Sequence, residues 1–158
     1  MRILIQISLL LFLCSNLLGQ KTQVVLQGEE SDSSFYDVAK INDNEFWAGG
    51  KHGILKKIDS SGNVRSLNFT NEGLNILKIE RTQDYVFIAT DNAVIYRYDI
   101  QKKEFLKKEF EEFKNKCFYD LIVLKNGKLL VCGGASGISK GEKKIPKGFI
   151  ALLDQDLK

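Results

Sequence analysis

The sequence predicts an all-β fold built from a repeated antiparallel four-stranded unit, and three observations predict it. Residues 46–59, FWAGGKHGILKKID, recur without a gap forty positions on as residues 86–99, VFIATDNAVIYRYD. A third, interrupted copy joins residues 129–133, LLVCG, to residues 148–154, GFIALLD. Each copy is a short apolar run, a turn, a second run and an Asp, which is the pattern of a β-hairpin. The tripeptide Phe35-Tyr36-Asp37 returns as Phe118-Tyr119-Asp120 at an offset of 83, and that offset also carries Ile41 onto Leu124, Phe46 onto Leu129 and Gly50 onto Gly133. Neighbouring copies are thus spaced 40 and 43 residues. Asp59 and Asp154 lie 95 apart, so the third copy carries a twelve-residue insertion between Gly133 and Gly148.

The N-terminus reads as an export signal. Residues 1–19 place Arg2 before an apolar run that only Gln6 and Ser8 interrupt, and Gly19 offers a small residue for cleavage. A membrane-spanning helix needs about 20 apolar residues. This run is broken by Ser15 and Asn16 and stops at Gln20-Lys21. The expected location is therefore secreted, periplasmic or at the cell surface. The alternative is a lipoprotein anchored through Cys14, whose LFLC context resembles a bacterial lipobox with Leu13 where a small residue is usual.

The remainder, residues 20–158, is expected to form one β domain. Residues 22–26 are a short strand candidate, and 28–34, GEESDSS, a polar loop. The first unit covers about residues 35–70, with strands at 36–41, 46–49, 54–58 and 64–69. Asn42-Asp43-Asn44, Lys51-His52-Gly53 and residues 59–63 form its turns, and Gly62 supplies positive φ. The second unit covers about residues 75–113, with strands at 76–79, 85–89, 94–98 and 105–110. Its last segment conflicts with its local pattern. Leu106, Phe110 and Phe113 recur at helical spacing among good helix formers. The alignment of Asp99 with Asp59 nevertheless places a fourth strand there. The third unit covers about residues 118–158, with strands at 118–124, 129–132 and 149–153. Asn126-Gly127 fits a two-residue hairpin turn, which would set Cys132 opposite Leu121, as a small buried residue, and leave Cys117 beyond the paired region. That geometry argues against a Cys117–Cys132 disulfide.

The second strand of every copy is apolar on both faces, as in Phe46-Trp47-Ala48, Val86-Phe87-Ile88-Ala89 and Leu129-Leu130-Val131-Cys132. A sheet with one wet face alternates apolar and polar residues. Continuous runs imply strands covered from both sides.

Composition excludes several function classes. The chain has 158 residues, 44% apolar and 27% charged, with net charge +3. Those fractions are globular, and the charge is too weak and too dispersed for a nucleic-acid interface. No phosphate-binding loop, nucleophile elbow or zinc spacing occurs, so no catalytic constellation and no cofactor are expected. His52 is the single histidine, and a turn residue in solvent is its plainest reading. Asp59, Asp99 and Asp154 recur before turns and read as turn caps rather than calcium ligands. Asn68-Phe69-Thr70 is a glycosylation sequon. The most distinctive non-repeat stretch is residues 133–148, GGASGISKGEKKIPKG, where Lys140, Lys143, Lys144 and Lys147 cluster. Together with His52 they form a candidate binding loop for a protein or an anionic ligand. A solvated hairpin extension is the plainer alternative.

From residue 22 onward the period, the small residues closing each second strand (Ala48-Gly49-Gly50, Ala89-Thr90, Cys132-Gly133-Gly134) and the Asp before each last turn resemble a β-propeller of the broad WD40, NHL and quinoprotein-like group. The Trp-Asp dipeptide of WD40 blades is absent. The resemblance implies blades of four antiparallel strands in an incomplete ring, since propellers close with about four to eight blades and about three are present. It also implies that the turns between second and third strands lie on the usual binding face. The expected function is a secreted binding or scaffold module. The alternative is the N-terminal part of a propeller-fold enzyme with catalytic residues on further blades. A fragment of a longer chain accounts for the blade count, and a homodimer closing six blades is the other account.

Overall fold

The computed structural model describes residues 34–67, 69, 72–135 and 148–158. They form three antiparallel sheets, none of them closed. The first contains β1 (Phe35–Asn42), β2 (Glu45–Gly50), β3 (Leu55–Asp59) and β4 (Val64–Ser66), in that order. The second contains β5 (Ile76–Arg81), β6 (Tyr85–Thr90), β7 (Val94–Asp99) and β8 (Glu104–Glu109). The third contains β9 (Lys116–Val123), β10 (Leu129–Ala135) and β11 (Phe149–Leu153). The helical spacing across residues 102–116 loses to pairing. Glu104–Glu109 is a full strand against β7, and only Glu111–Phe113 turns, as one 3-10 turn. The expected strand at 22–26, the export signal, Cys14 and the ends of the sequon lie outside the described residues.

The repeat extends to backbone detail. The first-strand pairing skips an equivalent residue in each sheet, Tyr36, Leu77 and Tyr119, and the first sheet skips Ile41 besides. Each is a β-bulge, where one extra residue kinks the strand and re-aims the side chains that follow it. Immediately after the bulge come Asp37, Lys78 and Asp120, opposite Gly49, Ala89 and Cys132. These three residues are therefore structural equivalents, and the first strand of the second unit is displaced by 41 rather than 40 residues.

Turn chemistry repeats as well. Asp59 Oδ1 accepts hydrogen bonds from the Ser61 and Asn63 N–H groups, both at 2.9 Å. Asp99 Oδ1 accepts from Gln101 at 3.0 Å and Lys102 at 2.9 Å, and Asp154 Oδ1 from Lys158 at 2.9 Å. A short carboxylate side chain can satisfy the N–H groups of a turn just after it, so the recurring Asp is a cap. The Asn63 side chain, then the Asn63 backbone, hold the Asp59 carboxyl below its ordinary range, and the Lys102 N–H does the same for Asp99.

One turn departs from the sequence reading. The Leu124 N–H donates to Lys128 O at 2.8 Å and the Gly127 N–H to Leu124 O at 2.9 Å, with Gly127 at φ 79°. The loop is thus three residues with a left-handed Gly, a common hairpin form, rather than the two-residue turn expected. The register shifts by one, so Leu121 opposes Val131 and Cys132 opposes Asp120. A one-residue slip moves a side chain to the other face of a sheet. Cys132 is accordingly half-buried on the outer face and not a core residue, while Cys117 is buried. Both are free thiols, and burial pushes the Cys117 thiol up.

Two apolar layers hold the sheets together. The first gathers Trp47, Ile41 and Leu55 of the first sheet with Ile76, Ile79, Val86, Ile88, Val94 and Tyr96 of the second. Trp47 meets Tyr98 edge-on with ring centroids 5.1 Å apart. The second layer gathers Phe87, Ala89 and Ile95 of the second sheet, and Phe110 just after its last strand, with Phe118, Leu121, Leu129, Val131 and Leu153 of the third. Successive residues of β6 therefore serve opposite layers: Val86 and Ile88 one, Phe87 and Ala89 the other. That is the reason for its continuous apolar run. All four have no exposed surface, and each fully buried aliphatic or aromatic side chain contributes about 1.5–3 kcal/mol. At Gly49 the close approach is specific, since a Cβ there would lie 2.4 Å from Ile76 Cγ2.

Glu45 locks the far edge of the first layer. It accepts a hydrogen bond from Trp47 Nε1 at 2.7 Å and pairs with Lys57. Burial pushes its carboxyl up, but the bonds from Lys57 and Trp47 outweigh burial and hold it below its ordinary value of 4.5. A lowered folded-state pKa stabilises the fold above the unfolded value, and the gain is lost as pH falls through the folded value. Unfolding midpoints measured below pH 4.5 are thus expected to fall steadily, and less steeply in Glu45→Gln. Equal slopes in the two proteins would show that Glu45 carries none of the acid sensitivity.

Candidate functional site

The antiparallel order places the start of the first strand, the hairpin between second and third strands and the end of the fourth strand at one end of each sheet. Contacts between sheets bring these ends together. Within the first unit the Lys51 N–H donates to Ser34 O at 2.8 Å, and within the second its equivalent Asp91 donates to Asn75 O at 3.1 Å. Asn75 then bridges two sheets. Its Oδ1 accepts the His52 N–H at 2.9 Å, and its Nδ2 donates to Asp91 Oδ2 at 2.7 Å. His52 and its equivalent Asn92 both adopt left-handed φ, 55° and 63°. His52 is thus held by its backbone at an exposed turn on this end.

Next along the same end lies an aromatic cluster. Phe113 stacks on Phe149, with ring centroids 4.2 Å apart and planes 14° apart, and Phe118 meets both edge-on. Lys116 Nζ sits 5.2 Å from the Phe149 ring centre and 5.7 Å from that of Phe113. A cation over an aromatic face is attracted by the ring quadrupole. Phe149 opens β11 directly after Gly148, so this cluster forms the base from which the lysine-bearing insertion leaves the sheet. Lys140, Lys143, Lys144 and Lys147 themselves lie outside the described residues. A shallow depression of about 110 Å³, lined by Asn92, Ala93, Glu109, Phe110, Glu111 and Lys114, lies at the same end.

The sequence reading missed the charged row. Lys78 Nζ lies 3.7 Å from Asp37 Oδ2 and 3.8 Å from Asp120 Oδ1, so the three equivalent positions alternate in sign across three sheets. Asp37 Oδ2 also accepts the Ile79 N–H at 2.7 Å, a bond between sheets. Nearby, burial pushes the Glu80 carboxyl up, with Lys78 pulling it down. The available signal was the Phe-Tyr-Asp repeat, but the second copy reads Ile-Leu-Lys and hides it. Among the described residues no group of three or more His, Cys, Asp or Glu could hold a metal ion, and no helix is long and apolar enough to cross a membrane.

No family model matches this chain, and no curated protein matches it. Among solved structures it is similar to a chain described as the extracellular domain of a candidate one-component system from B. thetaiotaomicron. The identity is 17% and the TM-score 0.52, over 78% of this chain. The match covers 15% of that chain, and this protein therefore corresponds to a small part of its length. At that identity the likeness is one of fold. The class it supports is an all-β chain of antiparallel sheets.

Proposed function

We propose that residues 20–158 are β-propeller blades, incomplete as a ring, that serve outside the cytoplasm as a binding or scaffold module. The observation that carries this reading is the recurrence of one set of contacts at one set of positions, from the bulge at Tyr36, Leu77 and Tyr119 to the paired layers around β6. Rigid repeated sheets free their connecting loops for recognition. The export-signal pattern read in residues 1–19 and the extracellular description of the similar structure support that placement.

The binding end in this reading is the one carrying His52, the Phe113–Phe149–Lys116 cluster and the insertion with Lys140, Lys143, Lys144 and Lys147. Its chemistry suits an anionic partner: the sequence puts four lysines within eight residues, and the described residues add Lys116, a further cation held on aromatic rings. The test uses retention on a heparin column against retention on a neutral dextran. Heparin retention that falls with salt, and that drops at least several-fold when all four lysines become Ser, is the expected result, since surface charge attraction is screened by salt. Equal retention of the two proteins would remove the loop from the binding face.

A further inference from the structure

The two faces of each sheet are chemically distinct, and the distinction repeats. On the face that the first sheet turns to the second stand Asp37, Ala39, Trp47, Gly49, Leu55 and Lys57. The register places Lys78, Glu80, Phe87, Ala89, Ile95 and Arg97 at the same positions facing the third sheet. In the third sheet those positions are Asp120, Ile122, Leu130, Cys132, Ile150 and Leu152. No sheet covers them among the described residues, and Ile122, Ile150 and Leu152 are 44%, 75% and 51% exposed. Here Leu152 replaces Lys57 and Arg97, so this face is the most apolar of the three. A shallow depression of about 100 Å³ lies between Asp120, Leu121, Ile122, Leu130, Cys132 and Ile150. An exposed apolar patch of this kind marks an interaction site.

The complementary face is present at the other end of the same chain. The second sheet meets the first with Ile79, Val86, Ile88 and Tyr98, and the third meets the second with Leu121, Leu129, Val131 and Leu153. The equivalents in the first sheet are Val38, Phe46, Ala48 and Ile58. Val38 is 62% exposed, whereas its equivalents Ile79 and Leu121 are each 1% exposed; on the same face Phe46 and Ile58 are half-buried and Ala48 is buried.

We propose that the outer face of the third sheet docks on the outer face of the first sheet of a second copy of this chain, continuing the sheet-to-sheet packing already made twice within one copy. Asp120, whose side chain is 53% exposed and whose Oδ1 already accepts the Leu121 N–H at 2.9 Å, then also accepts the Val38 N–H of the second copy, as Asp37 accepts that of Ile79 within one copy. The contact is head to tail, so it propagates until a ring closes or a filament grows. It rests on the stacked-sheet reading given above.

The test is light scattering behind size exclusion on the purified chain and two variants. One is Ile150→Asp with Leu152→Asp, on the third sheet; the other is Val38→Asp, on the first. All three sites are exposed, so folding is retained, and a β-type circular dichroism spectrum checks it. The expected result is a wild-type mass of at least twice the monomer and monomeric variants. An equimolar mixture of the two variants should recover a dimer, because each supplies the face the other lacks. A monomeric wild type would overturn the proposal while leaving the stacked sheets intact. Association lost only in the third-sheet variant would replace it with a symmetric pairing of third sheets or with another occupant. Failure of the stacked-sheet reading itself would show separately, as an unaltered melting temperature in Phe87→Ala.

Discussion

Replacing Phe87 with Ala is expected to cost about 3–5 kcal/mol, the range for a large aromatic removed from a packed core. Phe87 has no exposed surface and points from β6 into the layer shared with the third sheet. Its ring meets Tyr85 edge-on at 6.1 Å. The opposite face of the same strand, through Val86 and Ile88, holds the first sheet. A void at Phe87 therefore loosens the strand through which both layers communicate. Domains of ordinary stability have about 5–15 kcal/mol in all, so the variant retains a small margin. For a chain of this length 1 kcal/mol shifts the melting temperature by roughly 2–4 °C, and a drop of about 6–20 °C should appear in a thermal melt followed at a β-sheet wavelength. Tyr36→Ala is the matched control, because Tyr36 is 49% exposed and surface changes usually stay within about 0.5 kcal/mol. Equal shifts in the two variants would mean that β6 is not sandwiched.

Phe87 also shows what the sequence could and could not reveal. A run without polar interruption, Val86-Phe87-Ile88-Ala89, can be satisfied only by cover on both faces, and the second sheet has it. Residues 102–116 were the opposite case. Their helical spacing is genuine, yet β8 gains a ladder of hydrogen bonds to β7 and burial for Phe105, and tertiary pairing outweighs a local preference. The hairpin at Asn126-Gly127 was misjudged by a single residue, because Asn-Gly suits both a two-residue loop and a three-residue loop ending in left-handed Gly. That residue decided the face on which Cys132 lies. The row Asp37, Lys78, Asp120 was invisible for a different reason. Repeats are recognised by likeness, whereas neighbouring equivalents in contact are favoured by opposite charge. His52 was legible as an exposed turn residue, and the lysines at 140–147 lie outside the described residues, while the Phe113–Phe149 stack joins a 3-10 turn to the third sheet and has no linear signal.

Gly133→Ala is expected to be nearly as damaging as the loss of Phe87, by the opposite mechanism. A Cβ on Gly133 would stand 2.1 Å from the carbonyl oxygen of Cys117 and 2.5 Å from Phe149 Cζ. The first of these is backbone, so no rotamer change relieves it. Gly133 sits at the register irregularity where β10 pairs with Phe118 of β9 and Phe149 of β11. Relief requires one of those strands to separate or the Phe149 ring to leave its stack on Phe113. Overpacking of a tight core costs about 1–3 kcal/mol and occasionally more, and a backbone clash belongs at the upper end. Gly134→Ala is the informative control. Its Cβ would meet Tyr119 Cε2 at 3.4 Å, an ordinary contact, and the change should leave the melting temperature within a few degrees. The pair of variants also tests the proposed binding end. If Phe149 and Lys116 form the base of the lysine loop, Gly133→Ala should weaken heparin retention even at temperatures where the chain stays folded, and Gly134→Ala should not. Retention preserved in a folded Gly133→Ala protein would show that the lysines bind independently of the sheet beneath them, and that the aromatic cluster is core alone.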